Sequence, residues 1–330
     1  MWRPERAFVA PDEYSCAPRV GRVDQDVDRA PPLLFPESQT MSQDPHPTTD
    51  GTFPILIGGV GGSGTRLFAE SLLAAGLRTM SDVNGASDSP GCALLFKRPE
   101  LIAELEDPEQ VERLWAIAEA AILGGRPLSR EQRLLLKTLR RIPRPMHPTS
   151  WLRVRARRLR RAARERPASG RWFMKEPNLH WPAPKLLELR PDYRFVMAVR
   201  HGVDMAFSGN QQQVEVWGPT ALGEPGLPID AVASLRYWCL VHKRILEVRE
   251  RFPDRVLILS FDQFCLEPER VLPALFEFGA INPTPDLIQR GIAGVKPPAS
   301  IGRHHNEDCT IFDPEDLAFA ESFMQSIQVD

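Results

Sequence analysis

The apolar positions of the chain fall into two kinds of pattern. Short continuous runs alternate with long stretches in which apolar residues recur every three or four positions. Phe53-Pro54-Ile55-Leu56-Ile57 is the first continuous run and predicts a strand. It enters the glycine-rich segment Gly58 to Gly64, after which Leu67, Phe68, Ser71, Leu72 and Ala75 lie on one face of a predicted helix that Gly76 stops. From Pro108 to about Arg166 the period is helical. Val111, Leu114, Trp115, Ala118 and Ile122 form one apolar face, and Leu134, Leu135, Leu139 and Ile142 form another. Trp172-Phe173-Met174 is a short run closed by Lys175-Glu176-Pro177, and Pro177 ends sheet pairing. Phe195 to Val199 and Val256 to Phe261 read as strands buried on both faces. Ala231 to Arg251 reads as one long helix with Leu235, Trp238, Cys239, Val241, His242, Ile245 and Leu246 on its apolar side, and Pro268 opens another. Strands separated by helical stretches predict an α/β fold: a central, mainly parallel sheet flanked by helices, with a helical insertion over about 100–168.

Residues 1–50 break with this pattern. They are rich in Pro, Asp and Ser, hold no sustained period, and lack the basic-then-apolar order of a secretory signal. Disorder is expected there, with the folded domain over 51–330. Met41 stands just ahead of the first strand and is an alternative translation start.

Composition narrows the class. The chain has 330 residues, 42% of them hydrophobic, which suffices for the core of one α/β domain. A formal charge of −2 argues against a general nucleic-acid binder. The five cysteines are scattered, odd in number and without a C-x-x-C, which suits a reducing compartment and predicts a cytoplasmic protein. No stretch has the ~18 apolar residues of a membrane span.

The chemistry begins at the first strand. A strand, a glycine turn and a helix N-terminus make a phosphate cradle: glycines let the backbone approach, free N–H groups point inward, and the helix dipole adds partial positive charge. Gly59 to Gly64 has the spacing of the nucleotide-triphosphatase P-loop, yet Thr65 stands where its lysine belongs and Arg66 where its magnesium-binding hydroxyl belongs. A cation such as Arg66 in a first helical turn opposes the dipole, which a bound anion between them explains; the alternative is a surface arginine that snorkels away.

Lys175 and Glu176, at the end of a strand, stand where open α/β sheets bind ligands; the alternative is a strand-end ion pair. Arg200 follows the buried run at its carboxyl end, and Asp204 suits the start of the next helix, with Ser208 one or two turns into it. Met80 to Pro90 is a loop by composition, in which Asp82, Asn84 and Asp88 are either solvated turn formers or a polar wall that offers a base. Trp151 to Arg166 is a strongly basic helix without interleaved stacking aromatics; this favours a solvated face over nucleic acid or membrane, with attraction of an anionic ligand a third use. His304 and His305 are neighbours whose side chains diverge, and no carboxylate spacing completes a metal set around them.

Gly61-Gly62-Ser63-Gly64-Thr65-Arg66 resembles the 5′-phosphosulfate loop of sulfotransferases, which use 3′-phosphoadenosine 5′-phosphosulfate (PAPS) as sulfonyl donor. Lys175 and Pro177 match that family's Lys-x-Pro. Arg200 and Ser208 match its arginine at a strand end with a serine eight positions later, a pair that binds the donor's 3′-phosphate. Phe261-Asp262-Gln263-Phe264 with Glu267-Pro268 resembles a later, largely architectural segment, and Gly302-Arg303 a short form of its closing basic loop. The resemblance spans about residues 53–310. It implies a P-loop-like sulfotransferase fold, donor contacts from Gly61, Gly62, Ser63, Gly64, Thr65, Arg66, Arg200, Ser208 and Arg303, and catalytic roles for Lys175, Arg66 and a carboxylate. It implies PAPS as co-substrate with no metal, and a small-molecule or carbohydrate acceptor rather than nucleic acid. Two departures stand out. Gly62 replaces the lysine common in the first loop, whose charge Arg66 supplies in this reading, and the base is open among Glu176, Asp88 and Asp82. A P-loop kinase and a noncatalytic nucleotide-binding module are the other readings of the cradle.

Overall fold

The computed structural model describes residues 53–144 and 146–329; the expectations for residues 1–50, Met41 included, lie outside them. Four strands, β1 (Ile55–Gly58), β2 (Phe173–Lys175), β3 (Arg194–Val199) and β4 (Val256–Ser260), form one sheet in the order β2-β1-β3-β4. Every pairing is parallel: Leu56 lies opposite Met174 on one side and Phe195 on the other, and Met197 opposite Ile258. The α/β expectation is met.

Both faces of the sheet are buried because its strands alternate between two apolar cores. Ile55, Ile57, Val196, Ala198 and Leu259 face one core, with Phe68, Leu72, Phe264 and Phe276 from the helices Thr65–Ala74, Phe261–Leu266 and Pro268–Phe278. Leu56, Phe195, Met197 and Val199 face the other, with Trp115, Trp217 and Trp238 from Pro108–Leu123, Gln212–Ala221 and Ala231–Arg251. The helical stretch resolves into Pro108–Leu123, Arg130–Leu139 and Thr149–Ala162, separated at Gly124-Gly125 and the proline-rich segment 143–148. Ser129 and Gln132 close a reciprocal capping box at the second of these helices.

Two boundaries differ from expectation. Phe261 opens a helix rather than ending β4, because the Ser260 hydroxyl accepts from Gln263 N–H at 3.1 Å and caps it. The helix after β3 covers only Gly202–Ala206, so Ser208 lies beyond its end and not inside it. The Gln211 side chain donates to the carbonyls of Met205, Ala206 and Ser208, which takes up acceptors a longer helix would use. The polar segment from 210 onward forms the helix Gln212–Ala221 and buries Gln213 and Trp217.

β1 is followed by a crossover to β2 on one side, and β3 by a crossover to β4 on the other. The order in which strands are added across the sheet therefore reverses between β1 and β3, and the crevice at their carboxyl ends is the place where such sheets bind ligands.

Candidate active site

The glycine segment sits at the mouth of that crevice. Gly62 and Gly64 hold φ values of +98° and +74°, which a side chain disfavours. Gly64 precedes the helix Thr65–Ala74, whose first turn has no side-chain cap; Leu67 N–H donates to Gly64 O at 3.0 Å, and the N–H groups of Thr65 and Arg66 ahead of it remain for an external acceptor. A Cβ at Gly61 would come 2.7 Å from Gln213, and one at Gly64 would overlap the Phe261 ring. Ser63 is buried with its hydroxyl unpartnered, folded back against Gly59. Gly64→Ala is expected to cost about 2–4 kcal/mol through left-handed strain and overlap with Phe261, read as a lower denaturant midpoint at unchanged slope.

Phe261 links the loop to Arg200, whose guanidinium carbon lies 5.6 Å from the ring centroid. Arg200 Nη2 donates to Ser300 O and Oγ at 2.9 and 2.6 Å, and its Nε, 4.0 Å from Asp262, makes no hydrogen bond. Arg303 Nε donates to the same Ser300 carbonyl, and its Nη1 to Phe207 O, next to Ser208. The fold thus gathers Arg200, Ser208 and Arg303 at one corner. Asp204, only 1% exposed, ties this corner down by accepting from Gly302 N and from the backbone and ring of His304. Its expected role at a helix start is joined by this one, which links positions 100 residues apart.

Lys175 ends β2 with its side chain 2% exposed, its ammonium donating to Ala86 O at 2.9 Å and paired with Asp88. The 80–90 loop is therefore not a surface turn: it folds back onto the strand end, and Asn84 holds the other Asp88 oxygen at 2.9 Å. The strand-end ion pair exists, but with Asp88 rather than Glu176. Glu176 is buried and accepts from Asn178, whose own carbonyl oxygen takes Gln213 Nε2 at 3.2 Å and Trp217 Nε1 at 3.0 Å. Burial, reinforced by the nearby Asp88 charge, pushes the Glu176 carboxyl up to about 7. Asp82 is engaged elsewhere: Arg155 and Arg158 of the basic helix grip it at 3.1 and 2.5 Å.

One sequence expectation parts from this geometry. Arg66 is 60% exposed and pairs with Glu70 one helical turn on at 3.5 Å, outside the cluster that holds Lys175 and Glu176. The rest of the basic helix forms a cationic face: Arg157 and Arg160 line a groove of about 250 Å³ with Arg130, Arg133, Lys137 and Arg140. Asn178 and Ser300 went unassigned in the sequence, whereas Phe261 reads there as part of a largely architectural segment and the polar stretch 210–217, which holds Gln213 and Trp217, as a wall of the acceptor side. The signal for Asn178 was its place directly after Lys-Glu-Pro.

The profile of the sulfotransferase family matches residues 54–285, more than two thirds of the chain. The chain belongs to the sulfotransferase family. The matched span contains the glycine cradle, Lys175, Glu176, Arg200 and Ser208, while Arg303 lies beyond it. Comparison with curated proteins finds no match. Among solved structures, the sulfotransferase STF9 of Mycobacterium avium shares 14% identity over 85% of this chain and 78% of its own, with a TM-score of 0.43. The sulfotransferase domain of the Synechococcus PCC 7002 olefin synthase shares 15% over 86% of this chain and 98% of its own, with a TM-score of 0.42. Among the described residues, no helix is long and apolar enough to cross a membrane.

Proposed function

We propose that this sulfotransferase moves the sulfonyl group of PAPS onto a hydroxyl or amine of a small or carbohydrate-type acceptor, as an enzyme of the 2.8.2 type. The observation that carries the reading is the pairing, across the β1/β3 crevice, of an uncapped glycine cradle with the Arg200–Ser208–Arg303 corner. Two anion sites joined by Phe261 suit a donor with phosphate groups at both ends. The buried, unpartnered Ser63 hydroxyl and Arg200 Nε are donors in want of acceptors, and a Cβ at Gly61 or Gly64 would fill the cradle. The kinase reading loses support because Thr65 and an outward Arg66 replace the P-loop lysine and hydroxyl. Free thiols at Cys92, Cys239, Cys265 and Cys309 suit a cytoplasmic location.

In this reading the transfer is an in-line displacement: the acceptor oxygen bonds to sulfur as the sulfur–oxygen bond to the 5′-phosphate breaks, and the electron pair leaves with that phosphate. Glu176 takes the acceptor proton, since its raised pKa lets it gain and lose a proton near neutrality, whereas Asp88 is held by Lys175 and Asn84 and Asp82 by two arginines. Lys175 and the cradle N–H groups offset the charge that develops on the leaving phosphate. Arg66 acts at most as a distant charge at the helix start.

Calorimetry with 3′-phosphoadenosine 5′-phosphate, without magnesium, tests the donor class. Wild type is expected to bind, and Arg200→Ala to bind about 100-fold more weakly through loss of charge-assisted contacts. No binding to wild type, or binding of Mg–ATP in its place, overturns the reading.

A further inference from the structure

Behind the Arg200 corner lies a second cavity of about 480 Å³, and no residue of the glycine cradle lines it. Its wall carries His201, Asp204, Asp262, Gly302, His304 and His305. One ligand atom from each of His201, Asp204 and His304 falls within 4.8 Å of the others. We propose that His201, Asp204 and His304 form a binding site for a divalent transition metal of the zinc type.

Three observations support it. The donor set is two imidazoles and one carboxylate, which selects zinc-like ions over the oxygen-only preference of magnesium or calcium. The His304 Nδ1–Asp204 Oδ1 contact of 2.6 Å already brings one imidazole nitrogen and the carboxylate together at the cavity wall. His201 Nδ1 and Asp262 Oδ1 are buried in the same wall and neither has a hydrogen-bond partner; each carries a desolvation penalty that a cation relieves. The cavity leaves room for water to complete the coordination shell.

The rings of His201 and His304 stack at 4.2 Å and 5°. Parallel planes cannot both contain one metal ion, so binding turns at least one ring about its Cβ–Cγ bond. Metal entry is thereby coupled to the 300–306 turn, which carries Arg303 beside Arg200. In the sequence, His304 and His305 lacked a third ligand; the fold brings His201 and Asp204 to them from the end of β3.

The test uses the full-length chain stripped of metal with a chelator, then titrated with Co²⁺ and afterwards Zn²⁺. The expected result is a visible cobalt band that saturates at one ion per chain and is bleached by Zn²⁺, with slower amide exchange over residues 300–306. His201→Gln and His304→Gln should each weaken Co²⁺ binding by about tenfold or more, while His147→Gln, remote from the cavity, leaves it unchanged. No cobalt band in wild type, or wild-type affinity in both cavity variants, overturns the site. Circular dichroism checks each variant's fold. If one does not fold, the histidine ring-proton signals of the wild type decide, because Zn²⁺ shifts them on ligation and an absent shift overturns the proposal. None of these readouts uses the sulfonyl donor, so failure here and failure of the donor reading are separable.

Discussion

Glu176→Gln is expected to abolish most turnover, by about 10²- to 10⁴-fold, while making the folded chain more stable above neutral pH. The two effects have one cause. Glu176 is buried, and burial with the Asp88 charge nearby raises its carboxyl from an ordinary 4.5 to about 7. Between those values the folded chain binds a proton that the unfolded chain has released, so stability falls as pH rises. Above about 7 the folded state carries the whole cost of a buried charge. Glutamine removes that charge and can still accept from Asn178 Nδ2 through its carbonyl oxygen. Denaturation at pH 8 should show Glu176→Gln more stable by about 1–3 kcal/mol, and the difference should vanish below about pH 4.5. The acidic limb of the wild-type kcat/KM profile should fall near pH 7, where the base becomes protonated. A variant that keeps kcat within tenfold of wild type removes Glu176 as the base and returns the choice to Asp88.

Lys175→Met is expected to lower kcat by about 10²- to 10³-fold, with little change in affinity for 3′-phosphoadenosine 5′-phosphate. Methionine keeps the length of the side chain and removes its charge. Lys175 is nearly fully buried and its ammonium is held by Ala86 O and Asp88 with no competing water shell, so in the proposed reaction its charge would act at full strength. The same change leaves Asp88 with only Asn84 as a side-chain partner, and since Asp88 is partly exposed the loss of stability should be about 1–3 kcal/mol. Asp88→Asn separates the two effects: it also breaks the pair but retains the ammonium, so it should lose stability without the collapse in kcat. Single-turnover kinetics on both variants makes the comparison. Equal loss of kcat in the two would assign the role to the ion pair as a unit rather than to the lysine.

Particular residues show why some of the site was legible and some was not. The runs around Ile55–Ile57, Phe195–Val199 and Val256–Leu259 read as strands because a strand buried on both faces must be apolar throughout. Lys175 and Arg200 then followed from position, being polar residues at the carboxyl ends of those runs. Arg66 did not follow. Its place in the first turn of a helix suggested an anion, yet a helix surface also offers Glu70 one turn on, and that pair prevails. Asp82 and Asp88 looked alike in a single polar loop. Only the fold gives Asp82 to Arg155 and Arg158 and Asp88 to Lys175.

The sequence alone determined the order of strands and helices, the glycine cradle and the residues offered at the strand ends. These depend on contiguous residues: side-chain period selects the element, and the positive φ values of Gly62 and Gly64 are local demands of the backbone. The tertiary structure decided which charges meet and which proton is held. The raised Glu176 pKa, the Asn178–Gln213–Trp217 network and the grip of Asp204 on His304 all join segments far apart in the chain. Desolvation and hydrogen bonding act through space over a few ångströms, and spacing in sequence does not encode those distances until the sheet has brought its strand ends together.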